Sequence, residues 1–389
     1  MRNKFLPFSP PLIEDDEINE VIHTLRSDWI TTGPKVKQFE KEFADFTGAP
    51  SALAVSSATD ALQLSLAAFD VGAGDEVITT TFTFCSTIHV IEHIGAKPVL
   101  VDIEEKTLTI HPDMVIQKIN KKTKAIIPVH IYGHPCRMDE LTDIARKYSL
   151  ILIEDAAHAL PSYHNGRLIG SPIKGIRWAS CFSFYATKNI TTAEGGMITG
   201  EESFIDKARI WSLHGMSKDA WKRYSGSGSW HYEVVVPGFK CNMTDIQASI
   251  GIHQLKKLLK FQKRRREIAE MYNSAFANIP ELELPHVRTD CEHSWHIYAI
   301  RLNLNMLSIN RDQFIDELLK RNIGASVHFI PNHIQPYYRN KYGYKPEDFP
   351  VAWREYFRLI SLPIYPRMSN DDVNDVIEAV LDIVNKHKR

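Results

Sequence analysis

Lys188 occupies a position where a lysine is uncommon. It follows CFSFYAT (residues 181–187), a segment with the apolar and aromatic residues of a buried β-strand, and a polar turn leads from it to Gly195 and Gly196. Most lysines are solvated surface groups. A lysine beyond the end of a buried strand can instead act as a nucleophile, provided that its surroundings keep the amine neutral.

A pair of carboxylates ends a second apolar segment. SLILIEDAAHAL (149–160) places Glu154 and Asp155 at the end of its apolar run, with His158 shortly after. An unpaired buried carboxylate costs free energy, so a carboxylate here has either a charged partner or a functional task. Helix capping explains the same residues equally well.

A candidate anion site lies in AVSSATDALQLSLAAF (54–69). This segment has the pattern of a short strand, a hydroxyl-rich turn over 56–59 and a helix. Free backbone N–H groups and the helix dipole attract an anion to a helix N-terminus. Ordinary capping by Ser57 is the stronger interpretation when the segment is taken alone.

These three groups together suit pyridoxal phosphate (PLP). A helix start can bind its phosphate, a carboxylate its pyridine nitrogen, and a lysine its aldehyde. Forming the neutral amine of a free lysine at pH 7 costs roughly 4 to 5 kcal/mol, so the site must lower the lysine pKa.

The sequence contains no G-x-G-x-x-G after a strand, no G-x-x-x-x-G-K-[ST] and no metal-binding H-E-x-x-H, so NAD, ATP and metal sites have no support.

Apolar strand-like segments alternate with helix-like ones through the first part of the chain. The strand-like segments are DEVITTTF, KPVLVDI, TKAIIPVH, SLILIED and SCFSFYA. The helix-like segments are 59–69, 86–94, 138–148 and 205–211, preceded by a helix with apolar residues at Ile18, Val21, Ile22 and Leu25. This alternation predicts an α/β fold with a mainly parallel sheet, whose ligands bind at the carboxyl ends of the strands.

We expect a large PLP-binding α/β domain over residues 1–260 and a smaller α+β domain over 261–389. The large domain includes a long loop over 215–241. In the smaller domain HIYAIRL predicts a strand, RDQFIDELLKRN a helix and ASVHFI a further strand. The last helix begins at the capping box SNDD (369–372), and its expected buried residues are Val373, Val376, Ile377, Val380 and Val384.

Composition argues against several kinds of partner. The net charge is -1 and the pI about 7.0, which gives no support for nucleic-acid binding, and we interpret the basic segment KKLLKFQKRRR (256–266) as a solvated helix face. The five cysteines form no C-x-x-C pair, as expected of reduced thiols in the cytoplasm. No signal peptide or membrane-spanning run is present, so we expect a cytoplasmic protein without a membrane partner.

In combination, the motifs resemble those of the DegT-type nucleotide-sugar aminotransferases, a branch of the aspartate-aminotransferase fold (PLP fold type I). The likeness covers nearly the whole chain. The segments that carry it include WITTGPKVKQFEKEF, SSATDALQLSL, IEDAAHAL, FSFYATKNITTAEGGMI, GFKCNMTDIQASIGIHQL and SVHFIPNH.

The resemblance implies a role for each matching residue. Lys188 would form the Schiff base with PLP, and Asp155 would bind the pyridine nitrogen. The other implied cofactor contacts are Ala58, Thr59 and Ser183 at the phosphate, Phe84 stacked on the ring, and His158 near its O3'. Asn242 would reach the phosphate of the cofactor in a neighbouring subunit, which implies a homodimer with shared active sites.

The implied substrates are L-glutamate, with pyridoxamine phosphate as the intermediate form of the cofactor, and a nucleotide-linked 4-keto-6-deoxy sugar. Lys188 favours amino transfer, because the dehydratase branch of the family has a histidine in its place. The segment Asn242-Met-Thr-Asp resembles enzymes that aminate C4 of the sugar. Candidate sugar contacts are Thr31, Thr32, the 215–240 loop with its aromatic residues Trp221, Tyr224, Trp230 and Tyr232, and His328.

Several alternatives stay open on the sequence alone. His328 is equally compatible with a role in the core, and the loop aromatic residues with packing across a dimer. The nucleotide can be dTDP, UDP or GDP. Rival functions are a C3 aminotransferase, a sugar dehydratase, and a regulatory protein that binds PLP without turnover.

Overall fold

A seven-stranded sheet organises the larger part of the molecule. The computed structural model describes residues 2–217 and 231–389. The strands of this sheet are β1 (Ser51–Val55), β2 (Glu76–Thr80), β3 (Lys97–Val101), β4 (Thr123–Ile127), β5 (Ile151–Asp155), β8 (Trp178–Ser183) and β9 (Gly196–Gly200), in the order β1-β9-β8-β5-β4-β2-β3. Strand β9 runs antiparallel to both of its neighbours, and the other pairs are parallel. The predicted mainly parallel sheet is confirmed, whereas β9 had no counterpart among the predicted strands.

Helices cover both faces of the sheet. The helices of this part are α1 (Asp15–Leu25), α2 (Pro34–Thr47), α3 (Ala58–Ala68), α4 (Ser86–His93), α5 (Pro112–Lys118), α6 (Met138–Tyr148), α7 (Glu202–Ser212) and α8 (Asp245–Phe276). Alternate strand residues lie on opposite faces of the sheet: Ile78 belongs to the buried cluster that includes Phe39 of α2, and Val77 belongs to the cluster that includes Leu62 of α3. The near-continuous apolar strands are therefore explained by burial on both faces.

A second core lies in the C-terminal part. It is built on the antiparallel sheet β10 (Leu282–Glu283), β12 (Tyr298–Leu302) and β13 (Leu359–Leu362), while β6 (Tyr163–His164), β7 (Arg167–Leu168) and β11 (Cys291–Glu292) form a separate small sheet. The remaining helices are α9 (Arg311–Lys320), α10 (Pro336–Tyr342), α11 (Pro350–Tyr356) and α12 (Asn370–His387). Helix α8 joins the two cores, because Phe261 lies in the first and Ile268 in the second. The division at residue 260 stays a prediction, and Leu6 from the N-terminal segment packs in the second core.

Helix caps locate several boundaries. Ser369 is the N-cap of α12, and its capping box with Asp372 is formed as predicted. Helix α6 has the predicted bounds. In α12 the predicted residues Val373, Val376, Val380 and Val384 are buried, and Ile377 is partly buried.

Two expectations differ from the structure, and α1 packs in a way that its apolar spacing does not suggest. The segment 325–330 (ASVHFI) is not a strand, because Ser326 makes only an isolated bridge to Ser361 and the residues after it enter a cavity. In the basic segment, Arg265 is buried rather than solvated, and its guanidinium donates to backbone carbonyls. On α1, Ile18, Ile22 and Leu25 are exposed and Val21 is only partly buried. The helix instead buries its polar Glu17 against Lys257 and Gln254 of α8.

Candidate active site

A cavity of about 350 Å³ lies beyond the carboxyl ends of the sheet strands. Five strands supply the segments that line it, namely the residues following β1, β2, β4, β5 and β8. Eight of the predicted site residues line this cavity together: Ala58, Thr59, Phe84, Asp155, His158, Ser183, Lys188 and His328. The convergence expected from the strand ends is therefore present in the structure.

Lys188 follows β8 by a short turn and is partly buried in the cavity wall. Desolvation lowers the pKa of its amine to about 8, and the negative charge of Asp155 opposes this shift. An amine with this pKa is far more often neutral at pH 7 than a free lysine. Lys188 thus has the protonation behaviour of a nucleophile or a general base.

Asp155 is the last residue of β5 and is buried. Its carboxylate accepts hydrogen bonds from the Thr87 hydroxyl (2.8 Å) and the Ala157 N–H (3.2 Å). Burial raises its pKa, although these hydrogen bonds and the charge of Lys188 oppose the shift. Within the described residues Asp155 forms no ion pair, so this desolvated carboxylate is available to a cationic ligand.

The N-terminus of α3 lines another part of the cavity. Ser57 caps the helix by accepting the Asp60 N–H (3.0 Å), so the capping interpretation is confirmed. The hydroxyls of Ser56 and Ser57 both bind the Asp60 carboxylate and are occupied. The groups left to bind an anion are the first-turn N–H groups of Ala58 and Thr59 and the hydroxyls of Thr59 and Ser183.

Glycine is required where β9 passes this helix start. A Cβ on Gly196 would lie 2.5 Å from the Ser57 carbonyl carbon and 2.8 Å from the Ala58 nitrogen. Only a residue without a side chain permits this approach. Gly196, at the end of the polar turn that follows Lys188, begins a buried strand that supports the anion site.

Imidazole and aromatic rings form much of the remaining wall. His158 is buried, and its Nδ1 accepts the Tyr132 N–H (3.2 Å). Burial lowers the pKa of His158 well below its ordinary value, and that of His328 to about 4. Phe329 lies between Phe84 and His158, with ring centroids at 5.9 Å and 5.8 Å. His328 therefore belongs to the cavity wall, and Phe84 presents an exposed ring at the cavity.

Three predicted residues lie together outside the cavity lining. The Asn242 side chain donates to the Thr32 hydroxyl (2.6 Å), which donates to the Met243 carbonyl (2.5 Å). The Thr31 carbonyl accepts the Asp245 N–H (3.1 Å). Contacts of these residues with a substrate or a neighbouring subunit stay predictions.

Of the aromatic residues in the predicted loop, Tyr232 is exposed, and Trp221, Tyr224 and Trp230 lie outside the described residues.

Sequence reasoning did not identify several residues of the site. Thr87 does not line the cavity but binds the Asp155 carboxylate, and it lies three residues after the predicted Phe84, in the segment TFTFCST (81–87), so this segment was a usable signal. His296 and Phe329 come from the C-terminal part. Phe329 lies in the segment SVHFIPNH, next to the predicted His328, whereas no motif or periodicity marks His296, which long-range folding brings to the sheet edge.

A group of residues with metal-ligand side chains lies elsewhere in the described chain, at His164, Asp290 and Cys291. None of the three lines the cavity. The Arg288 guanidinium binds both the Asp290 carboxylate (3.0 Å) and the Cys291 sulfur (3.0 Å). It supplies there the positive charge that a metal ion would otherwise supply.

Comparison with known proteins agrees with this geometry. The sequence profile of the DegT/DnrJ/EryC1/StrS aminotransferase family matches residues 11–381. The chain belongs to this family. The family and its solved members are PLP-dependent sugar aminotransferases with the aspartate-aminotransferase-like fold, so this protein is an enzyme of that class and PLP is its cofactor.

Individual relatives of this aminotransferase match over almost their whole length. It is 53% identical over 385 residues to the spore coat polysaccharide biosynthesis protein SpsC of Bacillus subtilis, covering 98% of each chain. It is also 53% identical over 389 residues to an uncharacterized protein of Methanocaldococcus jannaschii, covering 100% of each chain. Among solved structures, the PMP form of a putative sugar aminotransferase from Streptococcus pneumoniae shares 38% identity, with a TM-score of 0.91 over 98% of this chain and 99% of the other.

The cavity of this aminotransferase fits the cofactor. The desolvated Asp155 forms no ion pair among the described residues, the first-turn amides of α3 are free for a phosphate, and the Lys188 pKa is lowered. These are the groups that a pyridinium nitrogen, a phosphate and an aldehyde require.

In the part of the chain that the structure describes, no helix is long and apolar enough to cross a membrane.

Proposed function

We propose that this enzyme transfers an amino group from L-glutamate to C4 of a nucleotide-linked 4-keto-6-deoxy sugar. The substrate we propose is dTDP-4-keto-6-deoxyglucose, giving dTDP-4-amino-4,6-dideoxyglucose for a surface polysaccharide such as an O-antigen. The observation that carries the proposal is the single cavity that holds Lys188, Asp155 and the α3 helix start together.

We assign Lys188 and Asp155 the central roles. The cofactor, when bound, accepts electrons and carries the amino group between the two substrates. Lys188 binds it covalently and, once displaced, moves a proton at its Nζ as general base and then general acid. Asp155 keeps the pyridine nitrogen protonated, and Thr87 and the Ala157 N–H hold its carboxylate in place.

The other assignments concern the rest of the cofactor. The phosphate is bound by Ala58, Thr59 and Ser183. Phe84 packs on the ring, and the neutral His158 lies near O3'.

The proposed sugar contacts are His328, Thr31 and Thr32. His328 is oriented by a hydrogen bond between its Nδ1 and Ser361 (2.9 Å) and by stacking on Phe8 (5.2 Å).

Two observations support the choice of sugar. The 53% identity to SpsC, whose name assigns it to spore coat polysaccharide biosynthesis, favours a polysaccharide precursor. PFSPPLIEDDEI and KDAWKRYSGSGSW resemble dTDP-4-amino-4,6-dideoxyglucose transaminases, and Asn242-Met-Thr-Asp resembles C4 enzymes. The second of these segments, residues 218–230, lies outside the described residues.

We also propose a homodimer with shared active sites. Asn242 and Thr32 lie outside the cavity of their own chain, in hydrogen-bond contact with each other. Nearby in sequence, Trp29 and Ile30 are exposed, as are Ile18, Ile22 and Leu25 on α1. A second copy of the chain would cover this apolar surface and receive Asn242 at its own cofactor phosphate.

The test is product analysis with a panel of 4-keto-6-deoxy sugars linked to dTDP, UDP and GDP, with L-glutamate as donor. We expect the dTDP-glucose derivative to be converted with the highest kcat/KM, and NMR to show an amine on C4 with the C3 hydroxyl retained. Amination at C3, loss of oxygen from C3, or a higher kcat/KM with a UDP or GDP sugar would each contradict the proposed reaction.

A further inference from the structure

Asn189 connects Lys188 to the rest of the cavity wall. It directly follows the lysine and is buried. Its Nδ2 donates to the carbonyls of Leu160 (2.7 Å) and Ser294 (3.2 Å), and its Oδ1 lies 3.0 Å from Nδ1 of His296. One side chain therefore joins the Lys188 turn, the segment after His158 and the segment that enters β12.

These contacts determine the tautomer of His296. Because both carbonyls require an N–H donor, the Asn189 amide nitrogen must face them and its oxygen must face His296. An oxygen there can only accept, so Nδ1 of His296 carries the proton. A neutral imidazole has one N–H, which leaves Nε2 of His296 as a hydrogen-bond acceptor.

His158 has the opposite tautomer. Its Nδ1 accepts the backbone N–H of Tyr132, so in the neutral ring the proton is on Nε2. The His158 and His296 ring centroids lie 4.4 Å apart, and both residues line the cavity. Neither Nε2 forms a hydrogen bond within residues 2–217 and 231–389.

The surroundings keep His296 neutral. The ionisable groups that act on it are His158, Lys188, Arg265 and His328, and each disfavours a further positive charge. Arg265 is the fixed cation among them: its guanidinium donates to the carbonyls of Ile364 (2.7 Å), Trp295 (3.3 Å) and His296 (3.4 Å). Burial is the largest cause that lowers the pKa of His296 well below its ordinary value, and these charges add to it.

We infer that His296 is a ligand-binding residue of this site and that Asn189 is the positioning residue that fixes its tautomer. With Nε2 of His296 accepting and Nε2–H of His158 donating, one wall of the cavity offers an adjacent acceptor and donor, which is the complement of a hydroxyl group. Two hydroxyls are available to it: the phenolic hydroxyl of the cofactor and a hydroxyl of the sugar. The inference rests on the proposed function only for the identity of that sugar.

The tautomers can be measured without turnover. In the cofactor-free protein labelled with ¹⁵N-histidine, two-bond ¹H–¹⁵N correlation spectra distinguish a protonated from an unprotonated ring nitrogen. Comparison with His158→Phe and His296→Phe assigns the two residues. We expect a neutral His296 protonated on Nδ1 and a neutral His158 protonated on Nε2 between pH 6 and 8. A proton on Nε2 of His296, or a charged His296, would overturn the inference.

Affinity measurements identify the hydroxyl. His296→Phe keeps a ring against His158 but has no acceptor, and His296→Asn keeps an N–H for Asn189. One lost neutral hydrogen bond corresponds to about a threefold to tenfold weaker ligand. We expect this loss in both variants, in the Kd for pyridoxal phosphate if the phenol is bound or in the KM for the keto sugar if the sugar is bound.

The matched control is His293→Phe, since His293 is buried in the same segment but does not line the cavity. It should change neither constant. Unchanged constants in both His296 variants, or equal losses in the control, would refute hydroxyl binding. Because the tautomer and the cofactor Kd need no turnover, failure of this inference is distinguishable from failure of the proposed amino transfer.

Discussion

At the residue scale, the reactivity of Lys188 depends on two opposing effects in the cavity. Desolvation disfavours its ammonium form, whereas the Asp155 carboxylate stabilises that form, and the balance leaves the pKa at about 8. Roughly one such side chain in ten is then neutral at pH 7, compared with fewer than about one in a thousand for a free lysine. The cavity therefore prepares the amine without a separate base.

This balance predicts how cofactor binding depends on pH. Because only the neutral amine reacts, the rate at which the cofactor-free protein binds pyridoxal phosphate covalently should rise with pH, with a midpoint near pH 8. Asp155→Asn removes the charge that raises the Lys188 pKa, so the midpoint should move to lower pH. Stopped-flow absorbance measures the rate. Glu194→Gln, which removes an exposed carboxylate at the cavity rim, should leave the midpoint unchanged. A midpoint near the ordinary lysine value would show that the amine is solvated.

The sequence identified those site residues that follow apolar strands. Lys188, Asp155 and the helix start over 57–59 could be predicted because strand ends in a parallel sheet share one edge. The tautomers of His158 and His296 could not be predicted from the sequence. That of His158 depends on the backbone N–H of Tyr132, and that of His296 depends on the side-chain oxygen of Asn189, and both partners are distant in the sequence.

At the element scale, the position of the α3 N-terminus depends on its contact with β9. Gly196 lies against the backbone of Ser57 and Ala58, so any side chain there displaces the helix start. The amides of the first turn can bind a phosphate only from their present position.

Gly196→Ala should therefore weaken phosphate binding. We expect the Kd for pyridoxal phosphate to rise by at least about tenfold, because backbone must move, while the weaker binding of unphosphorylated pyridoxal changes little. Fluorescence titration of the cofactor-free protein measures both. Gly72→Ala is the matched control, since its Cβ would meet only the Ile94 carbonyl at 3.6 Å. An equal loss for the two ligands would show general unfolding rather than loss of the anion site.

Elements with strong local signals were predicted well, and those set by tertiary contacts were not. The boundary of α12 follows from its capping box, and α6 from its apolar period. Residues 325–330 have the composition of a strand, but pairing stops at Ser326 and His328 and Phe329 enter the cavity wall instead. In α8, Arg265 reaches carbonyls of the second core, which its neighbours in the basic segment give no reason to expect.

At the scale of the whole molecule, the exposed apolar face of α1 indicates a further partner. Ile18 is 49% and Leu25 56% exposed, although their spacing is that of a buried stripe. Helix α1 instead uses Glu17 to bind α8 of the same chain. A second copy of the chain is the partner that the proposed shared site requires.

Charges on this face should separate the subunits. The double variant Ile18→Glu, Leu25→Glu places two carboxylates where the apolar contact would be, so we expect monomers and at least about a hundredfold loss of amino transfer. Size-exclusion chromatography with light scattering measures the assembly. Leu319→Glu is the control, because Leu319 on α9 is equally exposed, at 57%. A double variant that stays dimeric would place the interface elsewhere.

The fold class could be predicted because buried strands alternate with helices over the first part of the chain. The exposure of the apolar residues of α1 could not be predicted, since an apolar stripe has the same spacing whether or not it packs in the core of its own chain. The cavity combines residues after five strands with His296 and His328 from the C-terminal part. Its full lining therefore depends on how the two cores meet.

The most direct test of the central claim is the glutamate half-reaction. We expect the enzyme loaded with pyridoxal phosphate to convert L-glutamate to one equivalent of 2-oxoglutarate per site, while the visible absorbance of the bound cofactor shifts to that of pyridoxamine phosphate. Lys188→Ala should keep the fold, as shown by an unchanged circular dichroism spectrum, and slow this conversion by at least about 10³-fold. Formation of no 2-oxoglutarate by the native enzyme, or a normal rate in Lys188→Ala, would contradict the account.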